Sequence, residues 1–398
     1  MQIYLDHSAT TPPRPEALET FQKISAQSWG NPSSLHSWGE RSATALEIAR
    51  FQVANLIGCS DPRCLLFTAS GTEADNLAIL GVAQRFKTPQ HLIISSVEHP
   101  AIAKPAEILE SQGWSVTRLP VTETGLVTTE SLAAAIRPET VLVSIIYGQS
   151  EVGSLQPIQE LGQVARDHGI LFHTDAVQVA GRLPVNVDRL PVDLLSLSAH
   201  KLYGVPGAGA LFIRPGVELV PHTYGGEQEN GLRSGTPAVP IIAAFGTAAE
   251  LAQQELITEC DRLAKLRDRL FQKLANCLFL KPTGDHNSRL PHHLSFVVKI
   301  PENADSTGLL SGQTLVRQMN LAGIAISAGS ACASGKSTPS PILSAMGYAD
   351  ADALRGIRLT LGRETTTADI DWTALVLPQV LERILGVPSP SPSLALSI

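Results

Sequence analysis

A lysine and a histidine stand side by side in SLSAHKLYG, directly after an apolar run that predicts a buried strand. Lysine is rarely buried without a partner, so Lys201 is either a charge that reaches solvent or an amine kept for covalent chemistry. Upstream, Asp175 follows an apolar run in GILFHTDAVQ, where a carboxylate is costly to bury unless a cation meets it. A protonated ring nitrogen would serve as that cation.

Short apolar runs alternate with helical patterns between about residues 65 and 215, which predicts a mostly parallel sheet of an α/β protein. The runs are LLFTAS, HLIISS, VTRLPV, TVLVSIIYG, GILFHTDA, DLLSLS and GALFIRP. Ligands of such sheets bind beyond the carboxyl ends of the strands. Three polar clusters, TASGTEADN, HTDAVQ and SAHK, follow these runs, so we expect them to meet at one edge of the sheet.

An amine and a carboxylate at strand ends form the pair that a pyridoxal phosphate enzyme requires. The lysine holds the aldehyde as a Schiff base, and the acid keeps the pyridine nitrogen protonated so that the ring accepts electrons. The alternative is a buried salt bridge between Lys201 and Asp175. Gly71 and Thr72 open a predicted helix whose N-terminus could bind a phosphate, although an ordinary capped helix shows the same pattern.

The bulk composition fits a folded protein of two domains that acts on a small molecule or a protein. The chain has 398 residues and a formal net charge of -7, with no large basic block, which argues against nucleic acid or an anionic membrane as the main partner. No apolar run predicts a spanning helix, and the first residues do not resemble a signal peptide. Five scattered cysteines predict neither disulfides nor a metal site, so we expect reduced thiols and a cytoplasmic location.

The sequence predicts a large domain followed by a second, smaller domain. A charged helical pattern near residues 250–276 links the two. The small domain contains alternating strand patterns in LPHHLSFVVKI, GIAISAG and GIRLTLG. It also carries a cysteine loop at about 323–340, and the Pro- and Ser-rich residues 389–398 predict a disordered tail.

The chain resembles the class V pyridoxal phosphate enzymes and, among them, the cysteine desulfurases of the NifS and IscS type. The resemblance runs almost end to end through YLDHSATTP, GNPSSLH, FTASGTEADN, VEHPA, HTDAVQ, SLSAHKLYGVPGAGAL, RSGTPAV, SAGSACASG and GIRLTLGRETT. It implies the type I aspartate aminotransferase fold, an α/β large domain with a mostly parallel sheet and a smaller α+β domain. The large coenzyme-binding domain would comprise residues 15–257, and the small domain would be formed by residues 1–14 and 258–388.

Matched position by position, the resemblance implies a set of coenzyme contacts. Lys201 would be joined to the aldehyde, His99 would stack on the ring, Asp175 would pair with the ring nitrogen, and Gln178 would bond the phenolic oxygen. Taken alone, His99 is an ordinary loop histidine and Gln178 a surface amide. The phosphate would be bound by Gly71, Thr72, Ser198, His200 and Thr236. Thr236 would reach over from a second subunit, which implies a homodimer.

The resemblance also implies how substrate is bound and attacked. Arg358 would bind the carboxylate of the amino acid, a task that suits a guanidinium. Asn31 would line the same pocket, although it also fits a turn before Pro32. Cys332 lies among small residues in SAGSACASGKSTPSP, where its thiol can act as a nucleophile on a movable loop. The implied reaction converts L-cysteine to L-alanine and leaves a persulfide on Cys332, which would supply an iron–sulfur scaffold or a thio-modification protein.

One departure from the family pattern concerns Gln149 and Ser150, which replace the usual pair of asparagines. Ser150 is carried over as a coenzyme contact, but its side chain is shorter. Two other functions stay open: a lyase that acts on cysteine, cystine or selenocysteine without an enzyme persulfide, and a noncatalytic scaffold. A dehydrogenase is disfavoured because no GxGxxG opens a strand-to-helix turn.

Overall fold

The computed structural model describes residues 2–300, 310–329 and 338–386. The strands are β1 (Ile3–Tyr4), β2 (Leu65–Thr68), β3 (His91–Ser95), β4 (Ser115–Leu119), β5 (Thr140–Ser144), β6 (Leu171–Asp175), β7 (Leu194–Ser198), β8 (Gly209–Ile213), β9 (Leu280–Pro282), β10 (His293–Val298), β11 (Ile324–Ala325), β12 (Ser327–Ala328) and β13 (Gly356–Thr360). The α-helices are α1 (Pro15–Gln27), α2 (Ser37–Leu56), α3 (Gly71–Ala83), α4 (Pro100–Ser111), α5 (Thr129–Ala135), α6 (Ile158–Asp167), α7 (Val239–Leu274), α8 (Gly312–Leu321), α9 (Pro341–Ala345), α10 (Asp350–Ala353) and α11 (Thr367–Leu385).

A seven-stranded sheet in the order β2-β8-β7-β6-β5-β3-β4 forms the centre of the molecule. Strand β8 runs antiparallel to both neighbours, and the other pairings are parallel. Strands such as β3 and β7 are buried along their whole length, which explains why they are continuous apolar runs rather than alternating patterns. The predicted α/β fold with a mostly parallel sheet is confirmed, and each of the seven predicted runs contains a strand.

The helices that connect the parallel strands cover the faces of this sheet. Helix α6 is the helix predicted between two strands, with Pro157 at its N-cap and Gly169 beyond its C-terminal end. Gly169 has a φ of 69°, a left-handed conformation that favours glycine and ends the helix. Because the strands joined by these helices run parallel, their carboxyl ends lie at the same edge of the sheet.

A second core surrounds the four-stranded antiparallel sheet β12-β13-β10-β9. It includes Leu5 from the N-terminal segment and Leu377 from α11. Helix α7 joins both cores, because Phe245 packs in the core of the large sheet and Leu270 in the second core. The second core thus combines the N-terminal segment with residues beyond 262, while the domain bounds at 14 and 257 stay a prediction.

Parts of the sequence prediction fall outside the described residues. The predicted tail over 389–398 is one, and residues 330–337 of the predicted cysteine loop are another. Within the described ranges, no helix combines the length and apolar character needed to cross a membrane.

Candidate active site

Lys201 lies in a short 3-10 helix, Ala199–Lys201, which begins where β7 ends. Its Nζ donates hydrogen bonds to the carbonyl oxygens of Ser8 and Ala9, each at 2.6 Å. Burial, reinforced by the positive charges of Arg182 and Arg358, lowers the pKa of Lys201 to about 7. A large share of this amine is therefore neutral, and hence nucleophilic, near neutral pH.

The N-terminal segment after β1 packs against the turn that contains Lys201 and forms hydrogen bonds with it. Thr11 donates from Oγ1 to the carbonyl of His200 at 2.8 Å and accepts from the Tyr203 amide at 2.8 Å. The Ser8 hydroxyl lies 3.2 Å from Nε2 of the buried His292. The motif YLDHSATTP, to which sequence reasoning gave no role, therefore positions the lysine turn.

Asp175 ends β6 and is 5 % exposed. Its Oδ1 accepts a hydrogen bond from the Val177 amide at 2.9 Å. Burial raises the pKa of Asp175, whereas His99 and Lys201 act in the opposite direction. One oxygen of Asp175, one ring nitrogen of His99 and one oxygen of Asp75 all lie within 4.8 Å of one another.

His99 is the N-cap of α4, and its Nδ1 accepts a hydrogen bond from the Ala101 amide at 3.1 Å. This bond leaves Nε2 as the protonated nitrogen of the neutral ring. Burial lowers the pKa of His99, which favours that neutral form. Although protein surrounds much of the ring, part of the residue stays exposed at the edge of the sheet where Asp175 ends, so a planar ligand could lie against it.

Two further buried carboxyl groups, those of Asp75 and Glu98, lie near Asp175, and the sequence analysis assigned a role to neither of them. Asp75 in α3 has its Oδ1 3.7 Å from Nε2 of His173. Glu98 accepts from the Ser95 hydroxyl and, at 2.9 Å, from the Ile146 amide. Burial raises the pKa of Glu98 to about 8 and that of Asp75 well above its usual value. Both acids therefore favour the protonated form, whereas Asp175 has two nitrogen bases, His99 and Lys201, that act to lower its pKa.

The N-terminus of α3 lies next to the end of β7. Ser70 is the N-cap, Thr72 is exposed, and a Cβ added to Gly71 would lie 3.2 Å from the Ser198 Cβ. A Cβ added to Gly209 would collide with the Ser70 backbone, so glycine is needed for this close approach. Gly71, Thr72 and Ser198 are thus brought together at a helix N-terminus, as a phosphate site requires.

His200 follows Ser198 and faces the N-terminal segment. Its Nδ1 lies 3.1 Å from the Thr10 hydroxyl. Burial, together with the charges of Lys201 and Arg182, lowers the pKa of His200 to about 4. A neutral imidazole at this place can donate one hydrogen bond to an anion, as the predicted phosphate contact requires.

Gln178 is 5 % exposed and lies one turn beyond Asp175. Its Nε2 donates to the Ser8 carbonyl at 2.9 Å, the same oxygen that accepts from Lys201. Its Oε1 accepts from Nη1 of Arg182 at 3.2 Å. The amide is therefore held from both ends beside the predicted coenzyme amine.

Arg358 on β13 is held from two sides. Its Nη2 donates to Oδ1 of Asp6 at 3.1 Å, and its Nη1 donates to the Ser150 carbonyl at 3.2 Å. The Ser150 carbonyl also accepts from Nε2 of His293 at 2.9 Å. Position 150 thus contacts Arg358 and His293 through its backbone oxygen, and the coenzyme contact expected of the Ser150 side chain stays a prediction.

Three predicted site residues are not tied to this cluster. Asn31 is exposed, and its Oδ1 accepts from the Ser33 amide at 2.9 Å, which fits the turn interpretation. Thr236 is exposed after Gly235. Cys332 lies outside the described residues.

The described residues fit a phosphorylated pyridine aldehyde. Lys201 offers a largely neutral amine to the aldehyde, and the N-terminus of α3 offers amide groups to the phosphate. Asp175 offers a carboxylate to the ring nitrogen. These three groups follow the carboxyl ends of β7, β2 and β6 in one sheet, where β8 lies between β2 and β7. His99 lies at the same edge.

Comparison with known proteins agrees with this chemistry. The chain is 42% identical over 387 residues to a cysteine desulfurase IscS of Dictyoglomus turgidum, covering 96% of this chain and 95% of the relative. A solved NifS-like protein superposes with a TM-score of 0.88 at 32% identity, covering 96% of this chain and all of that one. The structure described as SspA in complex with cysteine has a TM-score of 0.79 at 34% identity, covering 91% and 99%. The profile of the aminotransferase class-V family matches residues 3–372, and the chain belongs to that family.

Proposed function

We propose that this protein is a pyridoxal phosphate-dependent cysteine desulfurase that converts L-cysteine to L-alanine and transfers the sulfur to its own Cys332. The observation that carries the proposal is the partly buried Lys201 amine, with a pKa of about 7, at the strand end next to that of Asp175. The similarity to desulfurases over nearly the whole chain supports the same reaction.

The coenzyme would be bound by residues from each of the three strand ends. Lys201 would hold the aldehyde, Asp175 the ring nitrogen, His99 the ring face and Gln178 the phenolic oxygen. The phosphate would be bound by Gly71, Thr72, Ser198, His200 and the Thr236 of a second subunit. When bound, this coenzyme supplies a ring that stabilises negative charge at the α-carbon of an amino acid.

The side chains of this protein would then orient substrate and move its protons. Arg358 would bind the carboxylate of cysteine by a charge-assisted pair of hydrogen bonds. Nζ of Lys201, neutral near pH 7, would remove the α-proton. His99, neutral with its proton on Nε2, would donate that proton toward the sulfur of the substrate.

The sulfur step is balanced without an external oxidant or reductant. The Cys332 thiolate attacks the substrate sulfur, an S–S bond forms, and the bond between sulfur and carbon breaks. The carbon takes up a proton, so one cysteine and one thiol give one alanine and one persulfide. Only the thiolate is nucleophilic, so the step requires ionised Cys332.

A single-turnover experiment tests this proposal. The loaded enzyme is incubated with L-cysteine, and both alanine and the intact mass are measured. We expect one added sulfur atom per chain, removed by a reductant and absent in Cys332→Ala. Cys260→Ala serves as the control, since Cys260 is a partly buried thiol of α7. Alanine or sulfide formation that is unaffected by Cys332→Ala would instead support a lyase without an enzyme persulfide.

We further propose that two copies of the chain form a homodimer around the site. Trp29 and Leu35 are 66 % and 97 % exposed, and Trp38 and Phe51 add further exposed aromatic surface. Large apolar side chains grouped over residues 29–51 suggest a surface that is covered in the working protein. The exposed Thr236 could then reach the phosphate of the other copy.

Mixed dimers test this arrangement. Thr236→Ala should weaken coenzyme binding, and Lys201→Ala should abolish covalent attachment. A dimer of one subunit of each kind contains one complete site if Thr236 acts across the interface. In isolated mixed dimers, tight coenzyme binding is therefore expected at one of the two sites, whereas weak binding at both sites would contradict the shared site.

The persulfide would be passed to a sulfur-acceptor protein in the cytoplasm, such as an iron–sulfur scaffold or a thio-modification enzyme. Incubation of the persulfide form with a candidate acceptor would show loss of one sulfur mass from this chain and gain of one by the acceptor. Loss of sulfur to reductant alone would argue against that acceptor.

A further inference from the structure

Arg182 is a buried cation, and its hydrogen-bond partners among the described residues are all neutral oxygens. The residue is 8 % exposed, and within the described part of the chain no carboxylate lies at ion-pair distance from its guanidinium. Burial lowers the pKa of Arg182 to about 10, so the group remains charged at neutral pH. A buried charge without a counter-ion is costly, so its retention calls for a reason.

The hydrogen bonds of Arg182 all lead to residues at the coenzyme site. Nη1 donates to both the carbonyl oxygen and the side-chain Oε1 of Gln178, each at 3.2 Å, and Nη2 donates to the His7 carbonyl at 3.2 Å. The His7 carbonyl belongs to the segment whose next two carbonyls accept from Lys201. Arg182 thus holds both the side-chain amide of Gln178 and the N-terminal segment that contacts Lys201 by hydrogen bonds.

The chemistry of the guanidinium fixes which way this amide points. Arginine has five N–H donors and no acceptor, so the amide atom that faces it must be the oxygen. Nε2 of Gln178 is then turned the other way, toward Ser8, whose carbonyl accepts one of its two N–H groups at 2.9 Å. Rotation of the amide by 180° would place its oxygen where a donor now lies.

We propose that Arg182 is a positioning residue that locks the Gln178 amide with its N–H group toward the phenolic oxygen of the coenzyme. The inference rests on the proposed function, because it assigns the second N–H of Gln178 to that oxygen. An ionised phenolic oxygen accepts hydrogen bonds and is stabilised by them, whereas an opposing amide oxygen would repel it.

The absorbance of the loaded enzyme reports on this contact independently of turnover. The nitrogen of the lysine–coenzyme linkage holds a proton that the ionised phenolic oxygen attracts. The pH midpoint of the visible band is the pH at which half of the linkage nitrogen has lost this proton. A hydrogen-bond donor to the phenolic oxygen weakens the attraction and keeps this midpoint low. Arg182→Met, which removes every donor at similar length, should raise the midpoint by about one pH unit. Arg182→Lys, which is also a pure donor, should restore at least half of that shift.

A double-mutant cycle separates positioning from a simple effect of charge. In a Gln178→Ala background, Arg182→Met should shift the midpoint by less than a third of its effect in the native chain. Equal shifts in both backgrounds would show that Arg182 acts without Gln178 and would overturn the proposal. No shift in the native background would overturn it as well.

Arg289→Met provides the matched control. Arg289 is also a buried arginine whose pKa burial lowers to about 10, and it donates to the carbonyls of Thr283 and Asp285 rather than to Gln178. Its substitution should leave the midpoint unchanged, and a shift as large as that of Arg182→Met would contradict the specific role. If the native chain shows no visible band with pyridoxal phosphate, the proposed function itself has failed, which is a separate outcome.

Discussion

Arg358 and Asp6 lie 352 residues apart in the chain and form an ion pair with 3.1 Å between Nη2 and Oδ1. The pair ties β13 to the N-terminal segment that also contacts Lys201. Since Asp6 and the Ser150 carbonyl fix the guanidinium, Arg358 meets substrate already oriented.

Replacement of Arg358 should therefore act mainly on substrate binding. Arg358→Lys keeps the charge but loses the paired donors, so we expect KM for L-cysteine to rise about tenfold to a hundredfold, with a smaller change in kcat. Asp6→Asn keeps an acceptor and should raise KM less. Steady-state kinetics of both variants provide the measurement, and an unchanged KM in Arg358→Lys would show that another group binds the carboxylate.

Replacement by asparagine should affect the rate of alanine formation very differently at Asp75 and at Asp175. Burial favours the protonated form of Asp75, so Asp75→Asn should leave alanine formation within about threefold of the native rate. Asp175 has His99 and Lys201 beside it and must stay ionised to hold a ring proton, so Asp175→Asn should lower the rate about a hundredfold or more. Equal losses in the two variants would contradict this division of roles.

The lowered pKa of Lys201 predicts how the rate of covalent coenzyme attachment to the apoprotein depends on pH. The amine must be neutral to attack the aldehyde, and half of it is neutral near pH 7. The rate of covalent attachment should rise through pH 7 and level off above about pH 8. Stopped-flow absorbance gives this rate, with Lys201→Arg as the blank. A rate that climbs steadily to pH 10 would mean that burial does not lower the pKa of Lys201.

Much of this site could be predicted because its chemistry lies at the ends of apolar runs. Asp175 and Lys201 each follow such a run, and parallel strands bring their carboxyl ends to one edge. The N-terminus of α3 was recognisable from Gly71 and Thr72 in the same way. Motif order then supplied His99 and Gln178, whose side chains carry no signal of their own.

The supporting residues could not be predicted, because their roles depend on contacts between distant parts of the chain. Asp6 gains its role only when β13 lies beside the N-terminal segment. Arg182 follows a glycine and has the appearance of a surface cation, yet the fold buries it. Ser150 acts through its carbonyl, which reasoning from side chains does not detect.

The buried Glu98 predicts that stability depends on pH. Its pKa rises from a usual value near 4.5 to about 8, so between these values the folded protein binds more protons than the unfolded chain. The free energy of unfolding should therefore fall as pH rises from about 5 to 8, by up to about 1.4 kcal/mol per pH unit for this group. Most of that loss is absent if Glu98 is replaced by a neutral amide.

Urea unfolding of the native chain and of Glu98→Gln across this pH range provides the measurement. As the pH rises, the free energy of unfolding should fall less in Glu98→Gln than in the native chain. Glu107→Gln is the control, because Glu107 is half exposed and pairs with Lys104 at the surface. Parallel pH profiles for the native chain and Glu98→Gln would contradict a protonated Glu98.

The central claim is that the amine at position 201 carries the coenzyme. Borohydride reduction of the loaded enzyme, followed by peptide mass mapping, tests it most directly. We expect a single stable pyridoxyl adduct on the peptide that contains Lys201. Adduct formation on a different lysine, or an unmodified Lys201 peptide in an enzyme that still forms alanine, would contradict the account.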